Sequence, residues 1–164
     1  MDKLIIKGNA KISGSVNVHG SKNSALPIIV SSLLSENTLK LSNVPNVVDV
    51  LNLIKLLKNY GVKIEYKKDK LKINPKKIKN LSADYDVVRK MRASILILGP
   101  LLSRFGEARI SLPGGCAIGT RPIDIHLEGL SKLGANFEIQ NGFVVGSVKS
   151  QLIGNKIKLP FPSV

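Results

Sequence analysis

Twice along the chain, apolar residues recur at helical spacing, and each time a glycine and then strict apolar and polar alternation follow. The first copy runs from Leu51 to Tyr60, stops at Gly61 and alternates to Glu65; the second runs from Ile125 to Leu133, stops at Gly134 and alternates to Ile139. A glycine directly after an amphipathic helix predicts a left-handed terminating residue, which glycine adopts without a Cβ penalty. Each alternating strand leads into a predicted hairpin, at Lys68-Asp69 and at Asn141-Gly142. Upstream, Ser24 to Leu34 and Ala93 to Leu102 are apolar helical stretches that lead to strands at Leu39 to Leu41 and Arg109 to Leu112. A helix, strand, helix, strand, strand unit is therefore predicted twice, and units with one face to bury pack around a shared core.

Outside the two units, alternation predicts strands at Lys3 to Lys7 and Gly14 to Val18, and a further strand at Lys156 to Leu159 that opens a third unit. Pro160-Phe161-Pro162 ends that third unit at once, as expected of a truncated protein. Pro27 falls within the first apolar helix, where proline costs about 3 kcal/mol. It is tolerated if the helix begins near Asn23 or Ser24, because first-turn amides have no internal partner. Gly20-Ser21-Lys22-Asn23 then forms the loop at a helix N-terminus. Such a loop favours anions, or is an ordinary capped helix start with a solvated lysine.

Composition narrows the function classes. At 164 residues with 43% hydrophobic content, the chain suits one globular domain. The formal net charge is +14, but the only arginines are Arg89, Arg92, Arg104, Arg109 and Arg121. The lysine excess, densest between Lys63 and Lys79, lacks the interleaved aromatics that stack on bases, so the charge reads as solvated surface and not as a nucleic-acid interface. The longest apolar run, Ala93 to Leu102, is too short to cross a bilayer, and the N-terminus lacks a signal peptide's apolar core. A cytoplasmic protein with no membrane or nucleic-acid partner is expected. His19 and His126 have no metal-ligand spacing, and with one cysteine a zinc site is not expected. No phosphate-binding Walker loop or dinucleotide glycine fingerprint is present.

The chemistry concentrates in Leu112-Pro113-Gly114-Gly115-Cys116-Ala117-Ile118-Gly119-Thr120-Arg121-Pro122, where the single cysteine lies on a glycine-rich loop five residues before an arginine. A guanidinium and exposed amides lower a thiol pKa, which makes Cys116 a candidate reactive thiolate. The alternative is a small buried hydrophobe at a turn. Lys22, Arg89, Arg92 and Arg121 are the candidate anion ligands, with Lys22 and Arg92 at comparable places in the two units.

Four blocks, Gly20-Ser21-Lys22-Asn23-Ser24-Ala25-Leu26-Pro27, Met91-Arg92-Ala93-Ser94, Leu98-Gly99-Pro100-Leu101 and Leu112 through His126, resemble the UDP-N-acetylglucosamine 1-carboxyvinyltransferase family, the UDP-GlcNAc enolpyruvyl transferases. The resemblance covers the N-terminal portion of family members more than twice as long. It implies an α/β fold, the inside-out α/β barrel of the enolpyruvyl transferases, truncated here to part of two domains. Residues 1–20 would be opening strands of the missing second domain, and 21–164 an incomplete first domain with two repeat units and the start of a third. It implies transfer of the enolpyruvyl group of phosphoenolpyruvate to the 3′-hydroxyl of UDP-N-acetylglucosamine with release of phosphate, the first committed step of peptidoglycan synthesis, without a metal or organic cofactor.

By the same resemblance, Lys22, Arg92 and Arg121 bind phosphoenolpyruvate and the anionic intermediate. Cys116 is the mobile-loop thiol that donates a proton or forms an adduct, as with the epoxide antibiotic fosfomycin. Asn23 contacts the sugar nucleotide; Pro122, Asp124 and Ile125 match the uracil-binding stretch; Ser163 and Val164 begin the loop that holds the diphosphate. The aspartate that takes the 3′-hydroxyl proton would lie in the missing second half, so this chain alone is expected to be inactive. Two alternatives remain at this stage: the related shikimate-pathway enolpyruvyl transferase, against which the Pro-Gly-Gly-Cys loop argues, and a non-catalytic anion-binding fragment.

Overall fold

The computed structural model describes residues 3–9, 11–79, 92–112 and 123–160. Two units of the same topology follow one another. In the first, helix α1 (Lys22–Ser31) continues into a 3-10 turn (Ser32–Leu34), then β1 (Leu39–Leu41), α2 (Val48–Asn59), β2 (Lys63–Lys67) and β3 (Lys70–Asn74). In the second, a 3-10 turn (Arg92–Ile97) runs into α3 (Leu98–Phe105), then β4 (Glu107–Ser111), α4 (Asp124–Lys132), β5 (Ala135–Gln140) and β6 (Phe143–Val148). Each unit holds a three-stranded antiparallel sheet with its last strand in the middle, β1-β3-β2 and β4-β6-β5. The repeated helix, strand, helix, strand, strand pattern expected from sequence is thus present in both units.

Local chemistry sets these elements. Gly61 (φ 91°) and Gly134 (φ 100°) both take the left-handed conformation one residue past the helix cap, and their amides close the last turns of α2 and α4 onto Lys58 and Ser131 carbonyls at 2.9 Å. The hairpins turn at the predicted places, with Lys68 (φ 56°) and Asn141 (φ 51°) left-handed. In α1 the helix begins at Lys22, earlier than the reading of Pro27 required, so Pro27 stands past the first turn and supplies no amide to the Asn23 carbonyl. Pro100, by contrast, is the third residue of α3, where an amide is not needed.

Packing joins the units. Ile29 and Leu33, Leu53, Leu56 and Leu57 of α2, Leu71 and Ile73 of β3, Leu98, Leu101 and Leu102 of α3, and Ile110 and Val144 of the second sheet belong to one buried cluster. Facing strands supply matched pairs, Ile64 and Leu39 flanking Ile73 in the first sheet, and Ile110 and Ile139 flanking Val144 in the second. Helix α1 packs on α2 and on the 3-10 turn of the second unit, and α3 packs on the turn that ends α1. Burial of this size, at roughly 25 cal/mol per Å² of apolar surface, is the main force holding the two units as one body. The two amphipathic helices differ, however: α2 buries five residues and α4 none.

Three predicted strands do not form. Residues 3–9, 11–20 and 150–159 contain no strand, and Leu4, Ile5, Ile6, Ile12, Val16 and Val18 are each at least 80% exposed. Alternation marks a segment able to pair, but a strand also needs a partner, and among the described residues these segments pair with neither sheet. No described helix is long and apolar enough to cross a membrane.

Candidate functional site

The first candidate element is the loop into α1. Its shape comes from Asn43, in the turn after β1, which holds a left-handed backbone (φ 56°) that asparagine tolerates better than most residues. Its Oδ1 accepts the Gly20 amide at 3.0 Å, its Nδ2 donates to the Val18 carbonyl at 3.3 Å, and its own amide donates to Asp69 Oδ2 at 3.2 Å. Gly20 is required because a Cβ there would meet the Asn43 carbonyl oxygen at 1.9 Å. The β2 to β3 hairpin is thereby tied, through Asp69 and Asn43, to the loop that delivers Lys22.

Lys22 opens α1 and Asn23 follows it; both are exposed. Ser21 makes no side-chain cap hydrogen bond to the first-turn amides. A lysine here is electrostatically unfavourable, since the helix N-terminus already carries partial positive charge. The compensation is Asp49, in the first turn of α2, whose Oδ2 lies 2.8 Å from Lys22 Nζ. A groove of about 190 Å³ adjoins the loop, lined by Gly20, Ser21, Ser24, Ile28 and Asn43 among others. A larger groove of about 360 Å³ lies on the outer face of the first sheet, but its lining of Lys40, Lys67, Lys70 and Lys72 is the solvated lysine face that alternation predicts.

The second candidate element is in the other unit. Arg92 is the first residue of the 3-10 turn that packs on α1, a place comparable to that of Lys22; its side chain lies outside the description. Asp124, exposed, and Ile125, half-buried, open α4, where the carboxylate faces the favourable end of the helix dipole. Ser111, the last residue of β4, is fully buried with a hydroxyl that has no hydrogen-bond partner among the described residues. Arg89, Cys116, Arg121, Pro122, Ser163 and Val164 lie outside the described residues. Among the described residues no cluster of histidine, cysteine, aspartate and glutamate could hold a metal ion.

Sequence reasoning found Lys22 and missed Asp49, which pairs with it, and Asn43, which bonds the loop before it. The available signals were an aspartate in the first turn of a predicted helix, and an asparagine directly before Val44-Pro45 at a strand end.

The chain is 53% identical over 157 residues to a Campylobacter jejuni protein named UDP-N-acetylglucosamine 1-carboxyvinyltransferase, covering 96% of this chain and 37% of that one. It is 51% identical over its whole length to a Buchnera aphidicola protein of the same name, covering 39% of it. The chain therefore spans well under half the length of these curated relatives. Among solved structures, the enolpyruvyl transferase NikO from Streptomyces tendae superposes with a TM-score of 0.74 at 20% identity, over 89% of this chain and 32% of that one. That likeness establishes the fold, an enolpyruvyl transferase α/β architecture present here in part. The profile of one family, described as EPSP synthase (3-phosphoshikimate 1-carboxyvinyltransferase), matches residues 6–164, and the chain belongs to that family.

Proposed function

We propose that the protein carrying this chain is a transferase that moves the enolpyruvyl group of phosphoenolpyruvate to the 3′-hydroxyl of UDP-N-acetylglucosamine and releases phosphate. The observation that carries this reading is identity above 50% along the whole chain to proteins of that name. Within the family, the same identity favours this acceptor over the shikimate one. The reaction must protonate the methylene carbon of phosphoenolpyruvate and stabilise a crowded anionic intermediate, which fixed cations in a desolvated site do well. Lys22, Arg92 and Arg121 are the cations assigned to that task, and Cys116 the proton donor. Asn23, Pro122, Asp124, Ile125, Ser163 and Val164 are assigned to the sugar nucleotide. The role follows as peptidoglycan synthesis in the cytoplasm, and through it cell-wall biogenesis, cell shape and division.

The remaining groups of the site belong to the length that relatives have and this chain does not span, with residues 1–20 pairing into that second domain. Phosphate release from phosphoenolpyruvate plus UDP-N-acetylglucosamine tests the reading. The 164-residue chain alone gives background release, and a protein completed to its relatives' length turns over. Turnover by the chain alone at an ordinary enzyme rate overturns the assignment of a site shared between two halves. Saturating fosfomycin with sugar nucleotide adds one adduct at Cys116 of the completed protein by mass spectrometry, and an unmodified protein overturns the thiol assignment.

A further inference from the structure

Asp49 has no assigned part in the transfer, yet it is the only carboxylate paired with Lys22 among the described ion pairs. Two helix ends explain why the pair matters. Lys22 sits where the dipole of α1 repels a cation, and Asp49 sits where the dipole of α2 attracts an anion. The carboxylate is therefore held by its own helix, and it in turn holds an ammonium that its own helix disfavours. The pair spans the contact between α1 and α2, whose packing on each other fixes the distance. Both side chains remain partly exposed, 49% for Lys22 and 37% for Asp49, so the bond contributes little to stability and leaves the ammonium open to a second anion.

We propose that Asp49 is the positioning residue for Lys22: it fixes the ammonium at the mouth of α1 so that an incoming phosphoryl or carboxylate group meets a fixed cation. This rests on the enolpyruvyl transfer proposed above. An ammonium on a four-carbon stem otherwise samples many rotamers, and misplacing a group by about 1 Å can cost on the order of 100-fold in rate.

The test uses the protein completed to its relatives' length, with phosphate release and phosphoenolpyruvate binding by titration calorimetry. Wild type that turns over the two substrates upholds the transfer reading; wild type that does not overturns that reading, and the calorimetric arm then judges the pair by itself. Asp49→Asn is expected to raise KM or Kd for phosphoenolpyruvate, or lower kcat, by roughly 10- to 100-fold in all. KM for UDP-N-acetylglucosamine and the melting temperature stay near wild type. Asp49→Glu, which keeps a carboxylate, recovers part of the loss, and Asp49→Asn adds nothing further in a Lys22→Met background. Unchanged kinetics and binding in Asp49→Asn, a loss not relieved by Asp49→Glu, or tighter phosphoenolpyruvate binding overturns the proposal; the last would make Asp49 a competitor for Lys22.

Discussion

Arg104 of the second unit reaches Glu36 of the first, Nη2 to Oε1 at 3.2 Å, while its Nη1 lies within bonding distance of the carbonyls of Leu33 (3.3 Å), Ser35 (3.3 Å) and Pro75 (3.1 Å). The guanidinium thus ties α3 to the end of α1 and to the chain leaving β3. The Arg104 side chain is 13% exposed and that of Glu36 68%. Loss of the buried donor strands carbonyls, whereas loss of the exposed acceptor costs a screened ion pair. Arg104→Met is expected to lower unfolding free energy in urea by about 2 to 3 kcal/mol, and Glu36→Gln by less than about 1 kcal/mol. Equal effects would make the ion pair the main contribution.

Gly20→Ala places a methyl 1.9 Å from the Asn43 carbonyl oxygen, which is backbone and cannot rotate away. The loop into α1 must move, and Lys22 with it. The variant is expected to lose on the order of 2 kcal/mol in urea titration and to bind phosphoenolpyruvate more weakly. Wild-type stability and binding together would show that the close approach is relieved at no cost.

Gly129 is the opposite case. It lies inside α4, and a Cβ there meets nothing within 4 Å. Gly129→Ala is expected to stabilise the chain by roughly 0.5 to 1 kcal/mol, because alanine gives up less backbone freedom in a helix. A melting temperature at or below wild type would contradict this.

Tyr60, the residue that ends α2, has a buried hydroxyl with no hydrogen-bond partner among the described residues, and burial pushes its phenol well above the ordinary 10.0. Its contribution to stability is complete below pH 10.0 and is lost as pH rises past that point, because the unfolded chain releases the proton first. Tyr60→Phe removes the orphan hydroxyl and the titration together. It is expected to add about 1 kcal/mol at neutral pH, and its advantage to widen above pH 10 by up to about 1.4 kcal/mol per pH unit. Urea titrations of both proteins at neutral and alkaline pH check the two parts, and parallel curves would refute the second.

Much of this fold was legible because its signals are local. Gly61, Gly134 and the two hairpin turns are recognised within a few residues of themselves, and the repeat emerges from comparing one stretch with another. What failed depends on distant partners. The alternation at Lys3 to Lys7, Gly14 to Val18 and Lys156 to Leu159 is real, but no strand among the described residues pairs with it. The bonds from Asn43 to Gly20, from Asp49 to Lys22 and from Arg104 to three carbonyls join positions far apart in sequence, and no periodicity reports them. At the candidate site, residue type and place singled out Lys22, the family resemblance singled out Asp124, and the surroundings of both needed coordinates.

Helix α4 carries Asp124 and Ile125 yet buries none of its own residues. Its Leu127 and Leu130 pack on the core only partly buried, so it is expected to open at a lower free energy than α2 with its five buried residues. A ligand that holds those two positions adds its binding energy to the closed helix, by mass action. If Asp124 and Ile125 hold the sugar nucleotide as proposed, amide exchange between Leu127 and Leu133 becomes a gauge of occupancy in the completed protein, slower with the nucleotide than without it.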